Sequence, residues 1–212
     1  MKTPRFLMIV LTGLFCQTNL HAQAIDLQQL LATGKLVTFT KDISLFNDGD
    51  KHAIRFQGLI WLKDINFSTG TIDLDMRGRD ELQKSFLGVA FHGVDTVIHD
   101  IVYFRPFNYR TNDPLRKIHA VQYVSQPEFP WDTLRARFPG VYEKGINPPP
   151  AATEWFHAHI VVGDKDIKVY VNGASVPSLT VNKLNNRKSG LIGLWNGVYG
   201  FDGDFANLVI SK

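Results

Sequence analysis

The sequence predicts an all-β protein, an antiparallel sandwich or barrel of many short strands. Two observations carry that expectation. Eleven short stretches after residue 35 are rich in β-branched and aromatic residues, and several alternate apolar and polar with period two. Turn chemistry separates them, and no long amphipathic helical pattern interrupts the series.

The first 24 residues read as an export signal rather than as part of the fold. Lys2 and Arg5 supply a basic start, Phe6 to Phe15 an apolar stretch, and Ala22-Gln23-Ala24 small residues for cleavage after Ala22 or Ala24. Phe15 precedes Cys16 where a lipid-modified signal needs a small residue. Removing this segment takes the only cysteine and lowers the net charge from +3 to +1. The expected mature chain, 25–212, is one domain of about 188 residues with no disulfide. Its balance gives no basic field for nucleic acid, and no later apolar run is long enough to span a membrane. The expected location is a bacterial periplasm or the outside of the cell.

Residues 25–34 (IDLQQLLATG) predict a short helix or lead-in. The expected strands then follow in order: LVTFT (36–40), AIRFQGLIWL (53–62), GTIDLDMRG (70–78), SFLGVAFHG (85–93), HDIVYFRPF (99–107), IHAVQYVS (118–125), WFHAHIVVG (155–163), DIKVYVNG (166–173), SLTV (178–181), GLIGLW (190–195) and DFANLVIS (204–211). Asn47-Asp48-Gly49-Asp50, Ser68-Thr69-Gly70, Asn172-Gly173 and Asp202-Gly203 are among the turns between them. Residues 126–154 differ. They hold six of the ten prolines, but also Phe129, Trp131, Phe138 and Tyr142, so they predict an ordered loop laid across one end or face of the sandwich. TLRARF (133–138) suits a single helical turn within it.

Strict alternation divides each strand into two faces. Leu87, Val89 and Phe91 point one way; Gly88, Ala90 and His92 the other. Phe156, Ala158, Ile160 and Val162 suit a core, leaving Trp155, His157 and His159 opposite. Val102 and Phe104 suit the core, leaving Tyr103 with Arg105. In 118–124 either Val121 and Tyr123 or Ala120 and Gln122 could face outward, and the second choice sets Gln122 beside Arg105. The outward set is poor in lysine and glutamate and rich in His, Arg, Gln, Trp and Tyr. Planar rings with multi-donor groups suit a hydroxyl-covered ligand such as a sugar. Pro106 cannot donate to a ladder, so the strand must end or bend there and re-aim Arg105 and Asn108.

FSTGTIDLDMRG (67–78) followed by SFLGVAFHG (85–93) resembles the opening of the 3-keto-disaccharide hydrolase domain family of secreted bacterial proteins, within the concanavalin A-like lectin and glucanase superfamily, and the resemblance implies an antiparallel jelly-roll β-sandwich of the concanavalin A-like kind. EWFHAHIVV (154–162), IKVYVNG (167–173), GLIGLW (190–195) and DFANLVI (204–210) resemble that family's second half in order and spacing. Two departures stand out. Trp195 occupies a place where the family usually has glutamine, and Leu87, Gly88 and His92 stand where it often has serine, glycine and arginine. The paired-carboxylate strand motif of the superfamily's glucanases is absent.

The resemblance implies an exported carbohydrate-active protein, with glycoside or 3-keto-glycoside hydrolysis as the expected activity and a non-catalytic glycan-binding module as the alternative. Expected catalytic residues are Arg105, His157 and Glu143, with a histidine or a loop glutamate as base and Arg105 as oxyanion stabiliser. Expected ligand contacts are His92, Tyr103, Asn108, His119, Gln122, Trp131 and Trp195. No cofactor is expected. His157 and His159 share a face at i, i+2 and could offer two imidazoles to a metal, but the third ligand would have to come from His92, His119, Asp95 or Glu143.

Overall fold

A computed structural model describes residues 24–39, 42–197 and 202–212. The proposed export signal and its cleavage site therefore fall almost wholly outside the described residues, as do Thr40, Lys41 and residues 198–201.

Asp26 opens a short helix, α1 (Leu27–Ala32), by accepting hydrogen bonds from the backbone N–H groups of Gln28 and Gln29. Fourteen strands follow among the described residues. They are β1 (Leu36–Thr38), β2 (Ser44–Asp48), β3 (Lys51–Phe56), β4 (Gly58–Phe67), β5 (Gly70–Arg77), β6 (Leu87–Gly93), β7 (His99–Phe104), β8 (Val121–Gln126), β9 (Glu143–Lys144), β10 (Phe156–Val162), β11 (Asp166–Val171), β12 (Leu179–Asn182), β13 (Gly190–Asn196) and β14 (Gly203–Ser211). Two further helices, α2 (Pro114–Lys117) and α3 (Trp131–Arg137), flank β8. The strands form two antiparallel seven-stranded sheets: a front sheet ordered β1-β4-β13-β6-β7-β8-β9 and a back sheet ordered β12-β11-β10-β5-β14-β3-β2. This is the expected antiparallel jelly-roll sandwich.

The core lies between the sheets. Leu87, Val89, Phe91, Val102 and Phe104 face it from the front, and Phe156, Ala158, Ile160 and Val162 from the back, all at most 1% exposed. Phe104 meets Phe156 edge-on at 5.2 Å, and Phe56 stacks on Phe205 at 4.9 Å. Burying such side chains contributes about 1.5–3 kcal/mol each, and this drives the two layers together.

Several expected elements differ in extent. AIRFQGLIWL is not one strand but two in opposite sheets, with Gly58 (φ 102°) at the crossing, a backbone conformation that favours glycine. The edge strand β2 and the short strand β9 lie where no strand is expected. The stretch 118–125 is extended only from Val121. The stretch 99–107 stops at Phe104 and passes into a 3₁₀ turn, Pro106–Asn108, because proline ends the ladder. The proline-rich segment is ordered as expected and lies against the outer side of the front sheet, where Leu134 of α3 packs with Tyr103 and Val124. Its helix spans Trp131–Arg137, longer than a single turn. Among the described residues no helix is long and apolar enough to cross a membrane.

Candidate functional site

One row of register runs across the outer side of the front sheet: Glu143 opposite Gln122, Gln122 opposite Tyr103, Tyr103 opposite Gly88, and Gly88 opposite Trp195. Neighbouring strands lie about 4.8 Å apart, so these residues form a continuous line. Gly88 carries no side chain between its neighbours, and the rings of Tyr103 and Trp195 meet at 5.2 Å. An added Cβ there would lie 2.1 Å from the Val102 carbonyl oxygen, so the close approach requires glycine.

Arg105 extends the line by one residue. Its Nη2 donates to Tyr103 Oη at 2.5 Å and to Gln122 Oε1, and Tyr103 Oη donates to the same Gln122 oxygen at 2.7 Å. Arg105 Nη1 donates to the His119 carbonyl at 3.0 Å and lies 3.5 Å from Glu143 Oε2. Asn108 Nδ2 donates to that same carbonyl at 3.0 Å, and Arg116 holds Asn108 Oδ1 at 3.1 Å. Two side chains aimed by the turn at Pro106 thus fix the backbone of His119.

Glu143 is the hub. Arg135 Nε and Nη2 grip its two oxygens at 2.8 and 2.7 Å, a bidentate pairing that fixes the carboxylate plane. His119 Nδ1 lies 2.8 Å from Oε2, close enough for a strong charge contact but too bent for a regular hydrogen bond. Burial pushes the Glu143 carboxyl up, but Arg135, Arg105 and His119 more than offset it and hold it below the usual range. Burial pushes His119 down, with Glu143 partly opposing. Burial raises Tyr103 to about 12. Glu143 is therefore an anion and His119 a neutral imidazole near pH 7. A carboxylate at Nδ1 places the ring proton there and leaves Nε2 with its lone pair. Two guanidiniums face one carboxylate, so the cluster carries surplus positive charge.

Only part of the cluster reaches solvent. Tyr103, Arg105, Asn108, Gln122 and Glu143 are each at most 5% exposed. His119 and Arg135 are partly open, with side-chain exposures of 20% and 36%. Trp131, one helical turn before Arg135, is 50% exposed and its ring centre lies 5.0 Å from the Arg135 guanidinium. The accessible strip is thus an aromatic plate, a guanidinium and an imidazole, with the carboxylate behind them.

The expected site divides. Tyr103, Arg105, Asn108, His119, Gln122, Glu143, Trp131 and Trp195 gather on the outer side of the front sheet. Arg105, Tyr103, Asn108 and Gln122, expected to face a ligand, are instead buried: Arg105, Tyr103 and Gln122 bond to one another, and Asn108 bonds the His119 carbonyl and Arg116. His92, also expected there, has φ 50° beside a register shift in β13; its buried ring stacks on Phe67 and its Nε2 lies 2.6 Å from the Ser68 carbonyl oxygen. His157 lies across the sandwich, on the outer side of the back sheet. There its Nδ1 and Nε2 lie 2.9 Å from Asp75 and 3.2 Å from Asp73, while His159 Nδ1 lies 2.6 Å from Asp73. Alternation separates inward from outward side chains but not one sheet's outer side from the other's. His92, His119, Asp95 and Glu143 do not join His157 and His159, and among the described residues no group of three or more histidine, cysteine or acidic side chains is arranged to hold a metal.

Arg135 has no counterpart among the expected site residues. Its signal is the Trp131-x-x-x-Arg135 spacing, which sets the two on one helix face once the helix is taken to begin at Trp131.

The fold and this strip define the class before any individual relative: a jelly-roll β-sandwich with a polar, aromatic cluster on one outer sheet face. Solved structures share the sandwich. A carbohydrate-binding module, CBM66, from Bacillus subtilis is similar at TM-score 0.58 and 13% identity, covering 84% of this chain and 96% of its own. A candidate glycosyl hydrolase from Parabacteroides distasonis is similar at 0.54 and 17%, covering 84% and 94%. A Bacillus subtilis protein of unknown function with a galectin-like fold is similar at 0.52 and 10%, covering 80% and 86%. At these identities the likeness establishes the fold. No protein-family profile and no curated protein matches the sequence.

Proposed function

We propose that this chain is an exported bacterial carbohydrate-active protein that hydrolyses a glycoside, with a 3-keto-glycoside as the substrate the site suits best. The observation that carries the reading is His119, a partly exposed imidazole whose Nδ1 lies 2.8 Å from the Glu143 carboxylate and whose carbonyl is held by Arg105 and Asn108. The names of the similar folds and the resemblance of 67–93 and 154–210 to the 3-keto-disaccharide hydrolase family support the same substrate class.

A ketone at C3 acidifies the C2–H bond. His119 Nε2 takes that proton, and the electron pair moves toward the C3 oxygen, whose growing negative charge Arg135 stabilises. Collapse of the enolate breaks the C1–O bond, and the departing oxygen receives the proton held by His119. Water then adds at C1 and a proton returns to C2, giving the free 3-keto sugar and the aglycone alcohol. Trp131 stacks on the sugar's apolar face, and Arg105 acts through His119 as a positioning residue.

Release of aglycone from 3-keto-glycosides and from ordinary glycosides, compared between wild type and His119→Ala, tests the reading. Turnover that depends on His119 supports it. The second reading, a non-catalytic glycan-binding module, is favoured by the bidentate hold of Arg135 on Glu143, which leaves the carboxylate fully engaged. Saccharide binding with no turnover of either substrate class would establish that alternative instead.

A further inference from the structure

The outer side of the back sheet holds a pocket that the chemistry at His119 does not use. It has a volume of about 450 Å³ and opens where β5 ends and β14 begins. Its walls include three guanidiniums, from Arg55, Arg77 and Arg79, and four carboxylates, from Asp80, Glu81, Asp202 and Asp204.

Part of this wall is fixed in advance. Asp204 is 4% exposed and accepts from Arg55 Nε at 2.6 Å, Arg55 Nη2 at 3.1 Å and Arg77 Nε at 2.8 Å. Arg77 Nη1 donates to Asp48 at 2.6 Å, and Trp155 Nε1 donates to the same Asp48 oxygen at 2.9 Å. The Arg77 guanidinium lies 4.6 Å from the Trp155 ring centre, and that of Arg55 lies 5.1 Å from Phe46. Both arginines are therefore held in plane by a buried carboxylate and an aromatic ring while they line the cavity.

The balance of the wall selects the ligand. Three positive charges against four negative ones disfavour an anion, and among the described residues no acidic group is arranged to hold a metal. A hydroxyl group both accepts from guanidinium and donates to carboxylate, so a mixed wall suits a neutral polyol. The volume falls in the range of small-molecule sites, roughly 300–1,000 Å³. We infer that this pocket is a second saccharide site, taking a neutral mono- or disaccharide on the sheet opposite His119. The inference rests on the reading of the chain as carbohydrate-active. It gives one chain two sugar-engaging faces, and so two points of attachment to a polysaccharide.

Amide ¹H–¹⁵N spectra of the mature chain, titrated separately with cellobiose, maltose and glucuronate, test it. Saturable movement of the Gly78, Arg79 and Thr153 amides with a neutral disaccharide is expected. Thr153 is an exposed lining residue outside the Asp204 network, and Thr153→Trp should weaken that binding at least about tenfold. Asp80→Asn, at another exposed lining residue, should weaken it as well. If neither disaccharide moves these amides, or if glucuronate moves them more than both, the inference is overturned. Movement confined to the Trp131 indole signal overturns this site and leaves the His119 reading standing. Movement here in a protein with no glycoside turnover overturns the hydrolase reading and leaves this site standing.

Discussion

His119 Nδ1 lies 2.8 Å from Glu143 Oε2, and this pair joins the sealed and open parts of the front-sheet cluster. The same carboxylate is bonded by Arg135, and the same histidine's carbonyl by Arg105 and Asn108. The result is a partly exposed imidazole with Nδ1 set against a buried carboxylate.

The pairing sets a pH profile. Burial lowers the His119 pKa below its ordinary value of 6.5, and a base must be unprotonated to act. Turnover should therefore rise with pH along an acid limb centred below about 6.5 and stay flat through neutrality. Glu143 is the group that raises His119, so Glu143→Gln should move the limb to still lower pH. Lost orientation of the ring should also reduce kcat by about 10²-fold. A limb that does not move in Glu143→Gln argues against the pairing.

Trp131 should act as a plate and not as a structural residue. It is half exposed at the first position of α3, so Trp131→Ala should leave the unfolding transition within about 0.5 kcal/mol of wild type. Saccharide affinity, measured calorimetrically, should fall roughly tenfold. Unchanged affinity would remove Trp131 from the site.

His157 should stabilise the back sheet in a limited pH window. It faces Asp73 and Asp75 of β5, with His159 beside it on β10; Asp75 also takes Lys51 from β3 and Asn207 from β14. The hydrogen bond to Asp75 raises the His157 pKa above 6.5, so its contribution is complete below that value and lost as pH rises through the raised one. Burial raises Asp75, but His157, Lys51 and Asn207 more than offset it and bring it to about 2, so its contribution is complete above 3.8 and lost as pH falls toward 2. The Tm difference between wild type and His157→Gln should be widest from about pH 4 to 6.5 and narrow toward pH 8. A difference that grows on the alkaline side contradicts the assignment.

Asp100 should be the costliest single acidic residue to remove. It is wholly buried and accepts from Tyr123 at 3.2 Å, Asn185 at 2.6 Å and Arg187 at 2.7 Å, tying the segment before β13 to β7. Asp100→Ala leaves Arg187 without its buried anion and should cost about 3–5 kcal/mol in denaturant unfolding. A loss under 1 kcal/mol would show that the network is not structural.

The parts of this structure that are local were legible in the sequence. The alternation in 155–162 correctly separates Phe156 and Ala158 from His157, and that in 99–105 separates Val102 and Phe104 from Tyr103 and Arg105. The same period allowed two faces for 118–124, and the structure takes the one that sets Gln122 beside Arg105. What alternation lacks is sheet membership, which is set by long-range pairing. That is why His157 falls on the opposite side of the sandwich from Arg105, and why AIRFQGLIWL, apolar on both sides of Gly58, conceals a crossing between sheets. Exposure was equally hidden. Nothing in the spacing of Tyr103, Arg105 and Gln122 indicates that all three are buried, Tyr103 against Leu134 of α3. Arg135 needed the correct start of that helix before its place beside Trp131 and Glu143 could be read.

A base at His119, set against Glu143, would remove the C2 proton of a 3-keto-glycoside. The most direct measurement is exchange of that proton for deuterium in D₂O, followed by ¹H NMR alongside aglycone release, for wild type and His119→Ala. Wild type should lose the C2 signal and release aglycone, with both slowed at least about 100-fold in a variant that remains folded. Equal exchange by the two proteins, or no exchange by wild type, would contradict it.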